Sequence, residues 1–255
     1  MSEVAGFYDA WAVDYDAAFA DWAAAARAQG GFLASALRDR GIGLGARVLD
    51  CTCGIGTQVI GLGIEGYRMY GSDLSLAEIE RARVEAARLG VSADFETADV
   101  LDLRATLPAD WSELDAVVTA NSLTHMAEPE TLIGALAQMA GVCRPGGIVA
   151  VTNRDYDSIG QPSSTPVQRS TSAGVQRISL QLWDWATDGR SYGMEDMLLT
   201  RPESSVDAEW SVRSRSTRLH AWRRADVEHA AAEAGLRDVR WLETAWQPIA
   251  TFAVP

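Results

Sequence analysis

The sequence predicts an α/β fold, doubly wound about a mostly parallel sheet, with an insertion late in the chain. Three observations predict it. The stretch Arg47-Val-Leu-Asp-Cys-Thr-Cys-Gly-Ile-Gly-Thr-Gln58 runs from a short apolar strand, through an acid and two closely spaced glycines, into a helical pattern. From there to Thr152 strands and helices alternate, as a parallel sheet with crossover helices requires. Residues 155–215 then break the alternation. With 255 residues, 47% of them hydrophobic, the chain can bury a full core, which favours one domain with an embellishment over two equal domains.

Taken in order, residues 21–40 carry an Ala-rich helical pattern. The strand 47–50 ends at Asp50, and Gly54 and Gly56 can supply φ > 0 and let a ligand approach the backbone. A dinucleotide fingerprint needs a third glycine where Val59 stands. Asp50 would repel a pyrophosphate and suits a cationic amino acid, so the expected ligand is one without phosphates. A helix is expected over 57–65, then a second strand over 67–73 that ends in Asp73. Ser75 with Glu78 reads as a capping box opening a helix over 75–89. Residues 93–100 read as a third strand carrying Asp99, and 114–121 as a fourth leading into Ser122-Leu-Thr-His125. A helix over 129–143 stops at Arg144-Pro-Gly-Gly147, which turns into a buried strand over 148–152. Residues 161–172 read as a Ser/Thr/Pro/Gln-rich loop, followed by clustered aromatics that include Trp183, Trp185 and Tyr192. Strands are expected over 194–200 and 206–217, and the last two over 239–242 and 249–254. An insertion at this point can cap the C-terminal edge of the sheet, where open α/β folds bind ligands, and is the expected source of substrate specificity.

Acids outnumber bases 35 to 22, for a net charge of -13, and a phosphate backbone is bound by clustered Lys and Arg. A nucleic-acid partner is therefore not expected. Arg213, Arg215, Arg218, Arg223 and Arg224 are a local exception that alternating strand charges explain. No apolar run approaches the ~20 residues that span a bilayer, and Met1-Ser-Glu-Val lacks a basic flank and an apolar signal core. The expectation is a cytoplasmic protein without a membrane partner. Cys51, Cys53 and Cys143 offer no second close pair for a tetrahedral metal site, and neither a metal nor a disulfide is expected.

The pattern D-x-x-x-G-x-G-T after a Val-Leu strand resembles the first motif of class I S-adenosylmethionine (SAM)-dependent methyltransferases, and the later landmarks arrive in that family's order. The resemblance implies a Rossmann-like sheet whose final strand is antiparallel, with SAM as cofactor and S-adenosylhomocysteine as product. It implies a division into an N-terminal arm and lid helix (1–45), a SAM-binding core (46–154), a cap (155–217) and the C-terminal part of the core sheet (218–255). Asp73 falls where the family's carboxylate accepts both ribose hydroxyls, and Asp99 where an acid accepts from the adenine amine. The implied cofactor residues are Asp50, Thr52, Gly54, Gly56, Asp73, Leu74, Asp99, Val100, Ala120, Ser122 and Trp22. Tyr8, Tyr15, Trp22 and Arg27 stand where the family places a lid over the methionine end.

Asn153-Arg-Asp-Tyr-Asp157 and Asn121-Ser-Leu-Thr-His125 further resemble segments of the glycine and sarcosine N-methyltransferases. That likeness implies that Arg154 anchors a substrate carboxylate, that Asn121 faces the amine, and that Ser122 and His125 lie near the cofactor. Asn121, His125, Arg154 and Tyr156 are thus the candidate catalytic residues. A guanidinium suits a carboxylate because it binds bidentately and stays charged. An Arg154 ion pair with Asp155 or Asp157 that only closes the strand is the competing reading. The expected activity is methyl transfer to a small amine or amino-acid-like metabolite, in secondary metabolism, by proximity and alignment. One alternative is C-methylation of an aromatic or indolic compound, for which aromatic walls would stabilise the developing cation. Another is a catalytically silent SAM-binding subunit. The acceptor is expected to be a small molecule, and a homo-oligomer is left open.

Overall fold

Buried β-branched and apolar runs set the strands, and capped amphipathic stretches set the helices between them. The computed structural model describes residues 3–204 and 207–255. Met1 and Ser2 of the N-terminal reading, and Val206 of the expected strand 206–217, lie outside the described residues. In chain order the elements are α1 (Glu3–Trp11), α2 (Trp22–Asp39), β1 (Arg47–Asp50), α3 (Thr57–Ile64), β2 (Arg68–Asp73), α4 (Leu76–Arg88), β3 (Ala93–Thr97), α5 (Leu103–Thr106), β4 (Leu114–Ala120), α6 (Pro129–Val142) and β5 (Cys143–Thr152). Then follow β6 (Gln168–Ser172), β7 (Val175–Trp185), β8 (Ser191–Pro202), β9 (Ser211–His220), α7 (Arg224–Glu233), β10 (Arg237–Leu242) and β11 (Ile249–Ala253).

Seven strands form one sheet in the order β10-β11-β5-β4-β1-β2-β3, parallel from β5 to β3. The last strand, β11, is antiparallel to both β10 and β5, as the resemblance implied. Side chains alternate across the central strands: Leu49, Val117 and Val149 pack with α5, α6 and α7, whereas Val48, Val118 and Ala150 pack with α2, α3 and α4. Both faces are thereby covered, which is why β4 and β5 read as continuous apolar runs. The chain leaves β1 for β2 on one side and later reaches β4 on the other, so the crevice that open sheets use for ligands opens at the C-terminal ends of β1 and β4.

Helix α2 crosses α3 without intervening side chains. A Cβ on Gly30 would overlap the backbone of Gly61, and one on Gly61 would overlap the Ala26 carbonyl. The crossing carries Trp22 close enough to donate from Nε1 to Thr57 Oγ1 at 2.9 Å.

A second, antiparallel sheet of order β6-β7-β8-β9 occupies the expected cap. Part of the expected loop 161–172 is a strand. Gln168–Ser172 pairs along β7 while remaining largely exposed, so backbone hydrogen bonds define this edge and no apolar alternation announces it. The aromatic stretch is likewise strand β7, hairpinned with β8. Phe7 and Trp11 of α1 pack with Tyr156, Trp183, Tyr192, Met194 and Leu219 in a cluster of their own. Ion pairs fasten the arm on both sides: Asp16 meets Arg81 of α4 at 3.2 Å and Arg177 of β7 at 2.8 Å, and Asp14 meets Arg213 of β9 at 2.6 Å. Among the described residues no helix is long and apolar enough to cross a membrane.

Candidate active site

The turn after β1 is built for close approach. Gly54 (φ 52°) and Gly56 (φ 89°) both take the left-handed conformation, and Gly56 is the N-cap of α3. A Cβ on Gly54 would lie 3.2 Å from Glu78 Oε2, so the glycine keeps the strand end open. The cavity there measures about 340 Å³ and draws its wall from separate elements. Thr52 and Gly54 come from the turn, Asp73 and Leu74 from the end of β2, Asp99 and Val100 from beyond β3, Ala120, Asn121 and Ser122 from the end of β4, and His125 from the short helix after it.

Asp73 is fixed by two backbone donors at 2.9 Å, Gly54 N–H on Oδ2 and Ser75 N–H on Oδ1. Burial raises its carboxyl above the usual range, and these N–H groups offset part of that rise. Asp99 Oδ1 accepts from Leu101 N–H at 2.9 Å, so the acid caps a turn while facing the cavity. Asn121 sits at φ 61°, and its buried Oδ1 has no partner. His125 Nε2 lies 2.7 Å from the Tyr8 hydroxyl, and its Nδ1 is buried and unpartnered. Burial, aided by the Arg154 charge, lowers the imidazole pKa to about 4, so the ring is neutral at neutral pH.

Several sequence-predicted residues stand elsewhere. Asp50 is fully buried beneath the turn and does not line the cavity; one oxygen accepts from Thr52 N–H at 3.3 Å, the other has no partner, and burial lifts its pKa to about 8. Strand β1 is covered on both faces, so the acid at its end points into the fold. Gly56 packs against Ala82 of α4 and does not line the cavity. Trp22 is buried behind Thr57, which does line it, and Arg27 is exposed on α2. Arg154 and Tyr156 also lie outside the wall. Arg154 donates to Tyr192 Oη at 3.0 Å and to Gln181 Oε1 at 3.4 Å, with its guanidinium 4.8 Å from the Trp183 ring centroid. Tyr156 shares a hydrogen bond with Tyr192 at 2.8 Å. Neither Asp155 nor Asp157 pairs with Arg154; Asp155 meets Arg224 at 3.3 Å. Trp183 and Trp185 pack against Tyr192 instead of facing the cavity.

Other wall residues carried no readable signal. Gln29 and Gln58, joined at 2.6 Å, belong to helical patterns, and Phe19 and Trp246 to no motif. Glu78 was accounted for as a helix cap, yet only half of that box forms: Ser75 Oγ accepts from Glu78 N–H, while the Glu78 carboxyl faces the cavity.

Residues 48–147, which hold most of this wall, match the family model described as a methyltransferase domain. Over this stretch the chain is similar to methyltransferases. Among curated relatives, the ubiquinone biosynthesis O-methyltransferase of Azoarcus sp. (strain BH72) is 33% identical over 114 residues, which is 44% of this chain and 46% of the relative. The chain thus spans about half the length of the curated relatives it matches. Streptomyces venezuelae DesVI superposes with a TM-score of 0.74 at 22% identity, covering 100% of this chain and 99% of that one. CalS10 of Micromonospora echinaspora, an amino pentose methyltransferase solved with SAM bound, gives 0.74 at 16% identity, covering 96% and 97%. At these identities the match is one of fold, and it extends through the second sheet.

The cavity fits this cofactor. Asp73 and Glu78, which line the cavity, form no ion pair among the described residues, so a cationic ligand meets acids that have no cation of their own. Gly54 leaves room for it against the backbone.

Proposed function

We propose that the chain transfers a methyl group from SAM to the amine of a small amino-acid-like or amino-sugar-like metabolite. The observation that carries this reading is the convergence of Gly54, Asp73, Asp99, Asn121 and His125 on one cavity from separate strand ends. When bound, SAM supplies a methyl group on a sulfonium leaving group. Asp73 and Asp99 hold the nucleoside end. The acceptor approaches on the side of Asn121 and the Tyr8–His125 pair. Asn121 Oδ1, free of any protein partner, accepts from the amine and orients its lone pair. In the tautomer whose Nε2–H donates to Tyr8, His125 Nδ1 is an open acceptor for a hydrogen bond from the amine, and the methylated nitrogen keeps its proton and leaves as the ammonium. Fixed alignment of the neutral amine with the methyl group contributes most of the acceleration.

One feature supports an amine, and a second a carboxylate on the same acceptor. The fold likeness to CalS10, described as an amino pentose methyltransferase, runs nearly end to end, whereas the O-methyltransferase likeness covers under half of the chain. Arg154 is a partly buried guanidinium whose hydrogen-bond partners, Tyr192 and Gln181, are neutral. A carboxylate on the acceptor would complete it, provided the acceptor reaches past the Tyr8–His125 pair. A second reading, C-methylation of an aromatic or indolic compound, is favoured by Tyr8, Tyr15, Phe19 and Trp246 on the wall. Residues 155–217 act as the acceptor cap in either case.

Methyl-labelled SAM offered with matched amines, with and without a carboxylate, and with indoles tests the proposal. Transfer to amines supports it, and preference for the carboxylated member supports the Arg154 anchor. Transfer only to carbon replaces it with the second reading. Tight S-adenosylhomocysteine binding without transfer to any acceptor would point to a silent subunit.

A further inference from the structure

Glu78 has the position of a helix cap and the surroundings of a binding group. It is 1% exposed, its Oε1 has no partner, and it lines the cavity. Its carboxyl does not close the capping box at the start of α4, because the Ser75 N–H is taken by Asp73 Oδ1. It also borders Gly54, whose N–H donates to Asp73 Oδ2, so two acids from neighbouring turns converge on one glycine. The helix start gives an acid a favourable field, but a helix start exposed to water would serve that purpose without burying a carboxyl.

On the reading that the cavity holds SAM, we propose that Glu78 is a second carboxyl of the nucleoside site, engaging a ribose hydroxyl of the bound cofactor beside Asp73. Each oxygen of Asp73 already accepts one backbone N–H, whereas a ribose brings two neighbouring hydroxyls, each both donor and acceptor. Burial pushes the Glu78 carboxyl well above its usual range, and the nearby Asp73 and Asp9 push it further, which favours its protonated form. A neutral carboxyl can donate through its O–H and accept through its carbonyl oxygen. The pair Asp73 and Glu78 therefore offers a hydroxyl pair both an anionic acceptor and a donor, which Asp73 alone cannot.

Calorimetric titration of the full chain with S-adenosylhomocysteine and with its 2′-deoxy and 3′-deoxy analogues tests this, using the wild type, Glu78→Gln and Glu78→Met. Glu78→Met should bind S-adenosylhomocysteine about tenfold or more weakly, the scale of one strong hydrogen bond. Glu78→Gln, which can still donate and accept, should retain more of the affinity than Glu78→Met. One deoxy analogue should bind wild type and Glu78→Met equally well, because the hydroxyl that Glu78 reads is missing. Binding of S-adenosylhomocysteine by Glu78→Met within twofold of wild type overturns the proposal. So does an equal loss for all three ligands, which would make Glu78 a support of α4. Should Glu78→Met fail to fold, Glu78→Gln alone decides: a loss that is the same for every analogue again overturns it. Failure of the wild type to bind any of the three would instead overturn the cofactor reading on which it rests.

Discussion

Asp73 joins two tasks in one carboxylate, since the backbone donors that hold it are those of the glycine turn and of the start of α4. Asp73→Ala should therefore weaken S-adenosylhomocysteine binding by at least about tenfold, as charge-assisted bonds contribute roughly 1.5–3 kcal/mol each, and should also lower the melting temperature. Calorimetry and thermal melts check both. Asp50 differs in being wholly structural in its surroundings. Its folded pKa, raised to about 8, means that the native state holds a proton which the unfolded chain releases near pH 4. Its contribution to stability is thus present below pH 4 and is lost as the pH rises to 8. Asp50→Asn should raise the melting temperature more at pH 8 than at pH 5. His125 acts in the opposite sense, its lowered pKa contributing stability that is lost as the pH falls from 6.5 to 4. At this scale Asp73 and Asp99 were legible because the strand-end acids stand in register with a glycine turn. Glu78 was not, because an acid at the third position of a helix already has a local explanation, and Asp50 was misplaced because its motif does not reveal which way a buried strand end points.

The first fifteen residues of the described chain belong energetically to two elements at once. Asp16 bridges α4 and β7; burial alone would raise its pKa, but Arg177 and Arg81 together leave it below the usual range. Asp16→Ala should release the arm from both sides, weaken S-adenosylhomocysteine binding several-fold through Tyr8 and Tyr15, and open residues 3–18 to protease. Exposed pairs contribute about 1 kcal/mol or less, and these are partly buried, so an unchanged dissociation rate in stopped flow would show that the arm is held by its aromatics alone. The elements of the main sheet were legible from alternation and caps, most ends within a residue or two, but β5 starts at Cys143, five residues before the expected start and across the expected turn at 144–147, and β3 ends at Thr97, three residues before the expected end. Strand β6 was not, because Gln168, Arg169, Ser170, Thr171 and Ser172 are mostly exposed and carry no apolar period.

At the scale of the whole molecule, one cavity serves the nucleoside and the Tyr8–His125 pair together, so the methyl group can pass directly from cofactor to acceptor. Cys51 and Cys53, the thiols on that wall, are pushed by burial well above the usual range and stay protonated, hence inert. Initial-velocity lines against SAM and an accepted amine should therefore intersect, as direct transfer requires, and parallel lines would contradict it. The doubly wound order was legible because strand-end acids and turns recur at crossover spacing, and the antiparallel last strand only through the family resemblance. The attachment of α1 to the second sheet was not, since it joins residues more than a hundred and fifty positions apart. The glycine crossing of α2 and α3 bears on how such a chain can change over generations. Neither Gly30 nor Gly61 can gain even a methyl group unless α2 lifts from α3 and takes Trp22 away from Thr57. Whatever else descent alters, the seam behind the cofactor cavity stays closed to variation.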